Sequence, residues 1–228
     1  MGKTLLRSLI VCVVCYAVVC MWHWPIGFTF FTQLSNVFAA LTVLAQLLAA
    51  RRRPGGDDGP ILHGMKFSAV LSVFLTFLVY LTAIAPLSPG GMAAAYMQDH
   101  GASLCMHGIV PFLMLVDFFL HDAGKPYGKR HMLLGLVPPA AWFVFIRVLV
   151  HLGVRWRGSM TAPYPFLNTA APAGWFGFAP ETAGPASFGI GVFYALAFLA
   201  VLILLISRLQ LYLAGVVYRK RKEKTAQE

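Results

Sequence analysis

The chain has 228 residues, 59% of them hydrophobic and only 11% charged, with a net charge of +10 and a mean hydropathy of +0.73. A soluble domain of this length carries roughly a quarter charged residues, so a soluble enzyme or binding domain is excluded, and the length leaves room for one helical bundle without a second folded domain. The basic residues are scattered over short connections and a short tail, which argues against a nucleic-acid partner and for the head groups of anionic lipids.

A spanning helix needs about 20 mostly apolar residues. That requirement predicts an all-α, multi-pass membrane protein with six helices over residues 5–22, 27–50, 67–86, 104–121, 132–151 and 187–213, followed by a basic tail over 214–228. The first apolar stretch follows Lys3 and Arg7 as a signal peptide would. However, Met21, Trp22, His23 and Trp24 stand where a cleavage site wants small residues, so it is read as a helix. Pro25 and Gly27 make a short turn into the second helix, and Pro54, Gly55 and Gly56 break the connection to the third. Cys12, Cys15 and Cys20 share one apolar segment and read as packing residues rather than a disulfide framework.

Orientation follows from the excess of Lys and Arg in cytoplasmic connections. Lys3, Arg7, Arg51, Arg52, Arg53, Lys66, Lys125, Lys129, Arg130 and the Arg219–Lys224 tail fall on one side, whereas the connections on the other side carry only Arg155 and Arg157. Both termini are therefore expected in the cytoplasm, with a bacterial inner membrane as the expected setting. The outer connections, 87–103 and 152–186, are longer and rich in Gly and Pro. The second of them carries Trp156, Tyr164, Phe166, Trp175, Phe176 and Phe178, aromatic residues that favour the membrane interface.

This topology brings certain polar residues to one depth. The second and fourth helices both enter from the outer side, so Thr32 and His107 each lie about one turn inside, at about 1.5 Å per residue. The fifth helix leaves toward the same side and places Arg147 and His151 in that layer. Polar groups in a bilayer are costly and mark functional sites. Their concentration at one depth favours a site over a transport path, although Pro111 and the Pro138-Pro139 pair interrupt helices as a transporter's would. A threonine hydroxyl beside a neutral imidazole is a nucleophile with its base, able to form an acyl-enzyme from an ester that arrives sideways from the lipid. The same pair can instead be a structural hydrogen bond between helices.

Phe30-Phe31-Thr32-Gln33-Leu34-Ser35-Asn36, Met106-His107-Gly108-Ile109-Val110-Pro111-Phe112 and Tyr164-Pro165-Phe166-Leu167 occur in this order. Together they resemble the androgen-induced-gene family of membrane proteins, and its bacterial relatives more closely. The resemblance extends over residues 5–213. It implies an intramembrane threonine hydrolase of fatty acid esters of hydroxy fatty acids, with Thr32 as nucleophile and His107 as general base. The animal members lack the Ser35-Asn36 pair, and the outer loops differ in length.

Supporting roles fall to the neighbours. Ser35 and Asn36 share the helical face of Thr32, and Asn36 can either donate to a developing oxyanion or bond across helices. Thr29, one turn away, is an alternative nucleophile. Arg147 can hold a lipid carboxylate or phosphate or reach out to the interface. Tyr164, Pro165 and Phe166 are assigned to shaping or covering the pocket. Asp117, about 15 Å deeper than His107, cannot complete a triad and is expected to pair with Arg7 or Arg208, leaving a backbone carbonyl to set the tautomer of His107. No cofactor or metal is expected. The alternative is a membrane protein without chemistry that binds a lipid, a partner protein, or a metal or haem through His23, His100, His107 and His151, which lack a His-x-x-x-His spacing.

Overall fold

The computed structural model describes residues 2–22, 26–52, 59–125, 127–156, 159–170 and 190–226. His23, Trp24, Pro25, Arg53, Pro54, Gly55, Gly56, Arg157, Trp175, Phe176 and Phe178 lie outside the described residues. The protein is an all-α bundle with six helices long and apolar enough to cross a membrane: Lys3–Cys20, Phe31–Arg52, Gly59–Leu87, Gln98–Asp122, Arg130–His151 and Val192–Thr225. A helix suits this crossing because most of its backbone polar groups bond within the segment, the condition for crossing hydrocarbon.

We label the α-helical segments in chain order as α1 Lys3–Cys20, α2 Phe31–Arg52, α3 Gly59–Val79, α4 Gly91–Tyr96, α5 Gln98–Leu104, α6 Val110–Asp117, α7 Arg130–Leu134, α8 Val137–His151 and α9 Ile190–Thr225. Besides the fourth span, which begins at Gln98 instead of residue 104, two boundaries differ from the sequence expectation by eight residues or more. The third span begins at Gly59 instead of residue 67, so Lys66 is a buried helical residue and not a loop cation. The sixth helix continues through the stretch expected to be a tail, as far as Thr225. Both differences have one cause. Hydropathy ends a segment at its first charges, whereas a helix ends where its backbone bonding stops.

The chain divides into two compact units, residues 1–138 with 206–228, and residues 139–205. The first is built on Leu6, Ile10 and Val14 of α1, spaced to share one face, packed with Ala39 and Val43 of α2, Phe67, Val70 and Val73 of α3, Val110 and Met114 of α6, and Ala214 of α9. Lipid is as apolar as these side chains, so close packing rather than escape from water holds them together. Small residues help: Ala17 of α1 meets Ala102 and Met106 at the opposite end of the helix from Leu6.

Three widened, π-helical turns interrupt this unit, at Tyr80–Ile84, Cys105–Ile109 and Phe118–Asp122. Proline accounts for the first two. Pro86 and Pro111 each stand two residues beyond such a turn. Proline has no N–H to offer the carbonyl four residues back, and its ring crowds that carbonyl. The carbonyls concerned belong to Thr82 and His107, each at the middle of its wide turn. The second wide turn follows a kink in which Asp99, His100 and Gly101 have φ of 52°, 58° and 79°, a left-handed conformation that costs non-glycine residues about 1 kcal/mol or more each. Tyr16 of α1 donates to the His100 carbonyl at 2.9 Å and secures the bend.

In the second unit, Trp142, Ile146 and Val150 form the buried stripe of α8. A short 3-10 turn, Pro165–Leu167, is tied down by Asn168, whose Oδ1 accepts from the Thr161 amide at 2.9 Å and the Thr161 hydroxyl at 3.0 Å.

Candidate functional site

Thr32 is the second residue of α2 and His107 the middle residue of the Cys105–Ile109 turn. Their side chains meet: Thr32 Oγ1 lies 3.2 Å from His107 Nε2. Both are buried, at 8% and 5% exposure, so bulk water does not separate them.

The direction of this bond is set on the other side of the ring. His107 Nδ1 lies 3.0 Å from the Ser103 carbonyl oxygen, which can only accept. Nδ1 therefore carries the hydrogen and Nε2 is the bare acceptor, so the Thr32 hydroxyl donates to Nε2. That is the tautomer a general base requires, held by a backbone carbonyl as the sequence suggested.

Tyr80 completes the surroundings of the imidazole. Its ring lies parallel to that of His107, with centroids 3.7 Å apart and planes 14° from coplanar. Its hydroxyl donates to the Ala95 carbonyl at 2.8 Å and accepts from Ser103 Oγ at 2.8 Å. Ser103 Oγ is in turn 3.4 Å from Nδ1. Tyr96 packs edge-on against Tyr80, at 5.1 Å, and burial there, with Tyr80 adding to it, pushes the Tyr96 phenol above its ordinary value, so it stays neutral.

The companions of Thr32 are engaged in holding its backbone. Ser35 Oγ donates to the Thr32 carbonyl at 3.0 Å. The amide nitrogen of Asn36 donates to that carbonyl at 2.8 Å and, across helices, to the Met106 carbonyl at 3.3 Å. With both hydrogens used, Asn36 joins α2 to the wide turn and has none left for an oxyanion. Its Oδ1 is buried with no hydrogen-bond partner among the described residues. The Thr29 hydroxyl donates to the Ile26 carbonyl at 2.6 Å within its own 3-10 turn. Gln33 Nε2 donates to the Met21 carbonyl at 3.1 Å, joining the start of α2 to the end of α1. Gly27 permits this closeness, since a Cβ there would come within 2.8 Å of Gln33 Oε1.

The remaining expected site residues belong to the second unit. Arg147 donates to Thr169 Oγ1 at 3.2 Å, and His151 is exposed at the end of α8. Tyr164 stacks on Phe166 at 5.4 Å and leans on Trp142 at 5.7 Å. No group of three or more His, Cys, Asp or Glu side chains gathers to hold a metal among the described residues.

A second polar cluster, of which the sequence suggested only the pairing of Asp117 with Arg7, lies at the opposite end of the first unit. It corrects the expectation that polar groups concentrate at one depth. Arg7 Nε lies 3.2 Å from Asp117 Oδ2 and Arg7 Nη2 2.9 Å from Asp122 Oδ2. Lys66 Nζ pairs with Asp117, and Gln46 Nε2 donates to Asp122 at 3.3 Å. Arg7, Gln46, Lys66, Asp117 and Asp122 are all fully buried. Two buried cations face two carboxylates, so the interior charge cancels, as burial in a low dielectric demands, and the partly exposed Lys125 adds a contact to Asp122 Oδ1 at 3.3 Å. Asp117 thus takes one of its expected partners, Arg7, while its second bond runs to Lys66 and not to Arg208. Nearby, Arg221 of α9 donates to the carbonyls of Phe119 and Leu120 at 3.0 and 2.8 Å, satisfying the end of that span.

Comparison with known protein families, with curated proteins and with solved structures finds no match. The chemistry of the site therefore rests on its geometry.

Proposed function

We propose that this protein is an intramembrane hydrolase of lipid esters, with Thr32 as nucleophile and His107 as general base. The observation that carries this reading is the orientation of the dyad: the imidazole hydrogen is fixed on Nδ1 by the Ser103 carbonyl, leaving Nε2 to accept from Thr32 Oγ1 at 3.2 Å. A hydrogen bond serving only to join two helices needs no particular tautomer. A general base does.

In the reaction, the Thr32 proton passes to Nε2 as Oγ1 bonds to the ester carbonyl carbon. The tetrahedral adduct collapses, the ester C–O bond breaks, and Nε2 returns the proton to the departing alkoxide. Water, deprotonated by the neutral imidazole, then attacks the acyl-threonine; the bond from the acyl carbon to Oγ1 breaks, a fatty acid leaves, and Nε2 returns the proton to Oγ1. Thr32 stands in the first turn of α2, where the positive end of the helix dipole favours the oxyanion.

The resemblance to the androgen-induced-gene family supplies the substrate class, fatty acid esters of hydroxy fatty acids reached from the surrounding lipid. It also supports a bacterial inner-membrane setting, and the distribution of Lys and Arg supports cytoplasmic termini. A binding or structural membrane protein without chemistry is the competing reading, favoured by the near-complete burial of both dyad side chains.

Labelling of the detergent-purified protein with a fluorophosphonate probe, followed by peptide mass spectrometry, separates the two. A hydrolase is labelled at Thr32, and Thr32→Ala and His107→Ala variants of unchanged melting behaviour lose the label. A well-folded parent that takes no label is a binding or structural protein.

A further inference from the structure

The base at this site lacks the usual third member. Among the described residues no carboxylate hydrogen-bonds His107, whose ring nitrogens meet only Thr32 and Ser103. When the imidazole takes the Thr32 proton it becomes a cation inside an apolar bundle, where an unbalanced charge is costly. The acidic side chains Asp117 and Asp122 are committed to Arg7 and Lys66 at the other end of the unit.

We propose that Tyr80 takes the carboxylate's place, as a positioning residue whose aromatic face stabilises the charge His107 acquires during acyl transfer. This rests on the hydrolase reading given above. The geometry suits the task. A cation is attracted to the face of an aromatic ring when it lies within about 6 Å of the centroid, and the two centroids are 3.7 Å apart with nearly parallel planes. Neutral imidazole gains little from the ring's electrostatic field and imidazolium gains more. The interaction therefore strengthens as the transition state forms, the only kind of binding that accelerates a chemical step.

The polar edge of Tyr80 acts in the same direction. From Ser103 Oγ–H to Tyr80 Oη, and from Tyr80 O–H to the Ala95 carbonyl, each donor points away from His107. The negative ends of these dipoles face the ring that becomes positive. The same bonds prevent Tyr80 from rotating off the stack, and Tyr96 buttresses it from the side at 5.1 Å.

The test varies the electronics of the ring without changing its shape. Tyr80 is replaced by phenylalanine and by mono-, di- and trifluorophenylalanine in the full chain, and the maximal rate of fluorophosphonate labelling at Thr32 is measured with the half-saturating probe concentration and the melting midpoint. Tyr80→Phe should label within about threefold of the parent, because the face is kept. Successive fluorines weaken the face, and the maximal rate should fall stepwise, by about 2- to 30-fold in all, with half-saturation and melting unchanged. A role in packing alone would give a flat series, which overturns the proposal and leaves the labelling of Thr32 standing. Loss of labelling already in Tyr80→Phe assigns the effect to the hydroxyl and also overturns it. A folded parent with no label at Thr32 overturns both this role and the hydrolase reading.

Discussion

Ser103 holds His107 by its main chain: the imidazole Nδ1–H reaches the Ser103 carbonyl oxygen at 3.0 Å, while the serine hydroxyl stands at 3.4 Å. The shorter contact survives any side-chain replacement. Ser103→Ala should accordingly keep fluorophosphonate labelling of Thr32 within about threefold of the parent. It should lose only about 1 kcal/mol of stability for the bond to Tyr80, seen as a small drop in melting midpoint.

Thr32 needs its hydroxyl more than its methyl. Thr32→Ser keeps the nucleophile but frees its rotamer, and should retain labelling with a rate reduced by about tenfold or less. Thr32→Val is close in shape, removes the oxygen, and should abolish labelling while the protein still melts cooperatively. Equal loss in both variants would show that packing at position 32, and not the hydroxyl, determines reactivity.

The ionic cluster makes a prediction independent of activity. Asp117→Leu leaves Arg7 and Lys66 facing each other without the carboxylate between them, and removal of one member of a buried ion pair costs about 3–5 kcal/mol. Combining it with Lys66→Met removes the stranded ammonium, and Arg7 keeps Asp122 at 2.9 Å. The double variant should thus melt higher than Asp117→Leu alone. Additive losses would mean that Lys66 and Asp117 are not energetically coupled.

Gly101, with φ of 79° and open space around its Cβ position, isolates the cost of backbone conformation. Gly101→Ala should destabilise the protein by about 1 kcal/mol, measured as a lowered melting midpoint, with no steric contribution from neighbours.

How far these features can be foreseen depends on what generates them. The six spans arise from apolar runs that a hydropathy reading detects directly. The meeting of Thr32 and His107 follows from alternating helix direction, which puts the starts of two helices at the same end of the bundle. Lys66 is different. A cation beside an apolar run marks a boundary in any hydropathy reading, whereas the helix begins at Gly59 and Lys66 is neutralised inside it by the distant Asp117. Asp122 and Gln46 were hidden in the same way, because neutralisation by a distant partner leaves no local signal. Tyr80 reads in the sequence as one more apolar-face aromatic. Pro111 announced that backbone order breaks nearby, but not that its turn and the one before Pro86 would lay a phenol ring over an imidazole.

Each wide turn has a consequence for helical phase. Its closing bond spans five residues, as from the Val110 amide to the Cys105 carbonyl, so it accommodates one residue beyond the α-helical repeat. Carried through a regular helix, one such residue would rotate every later side chain by about 100° around the axis; the wide turn absorbs it instead. The crossing therefore holds one surplus residue and still buries His107 near one end and Asp117 near the other. Deleting one residue from 105–109 should restore the regular repeat without turning either flanking half toward lipid. The wide turn is a one-residue shim between two half-helices that keep their phase.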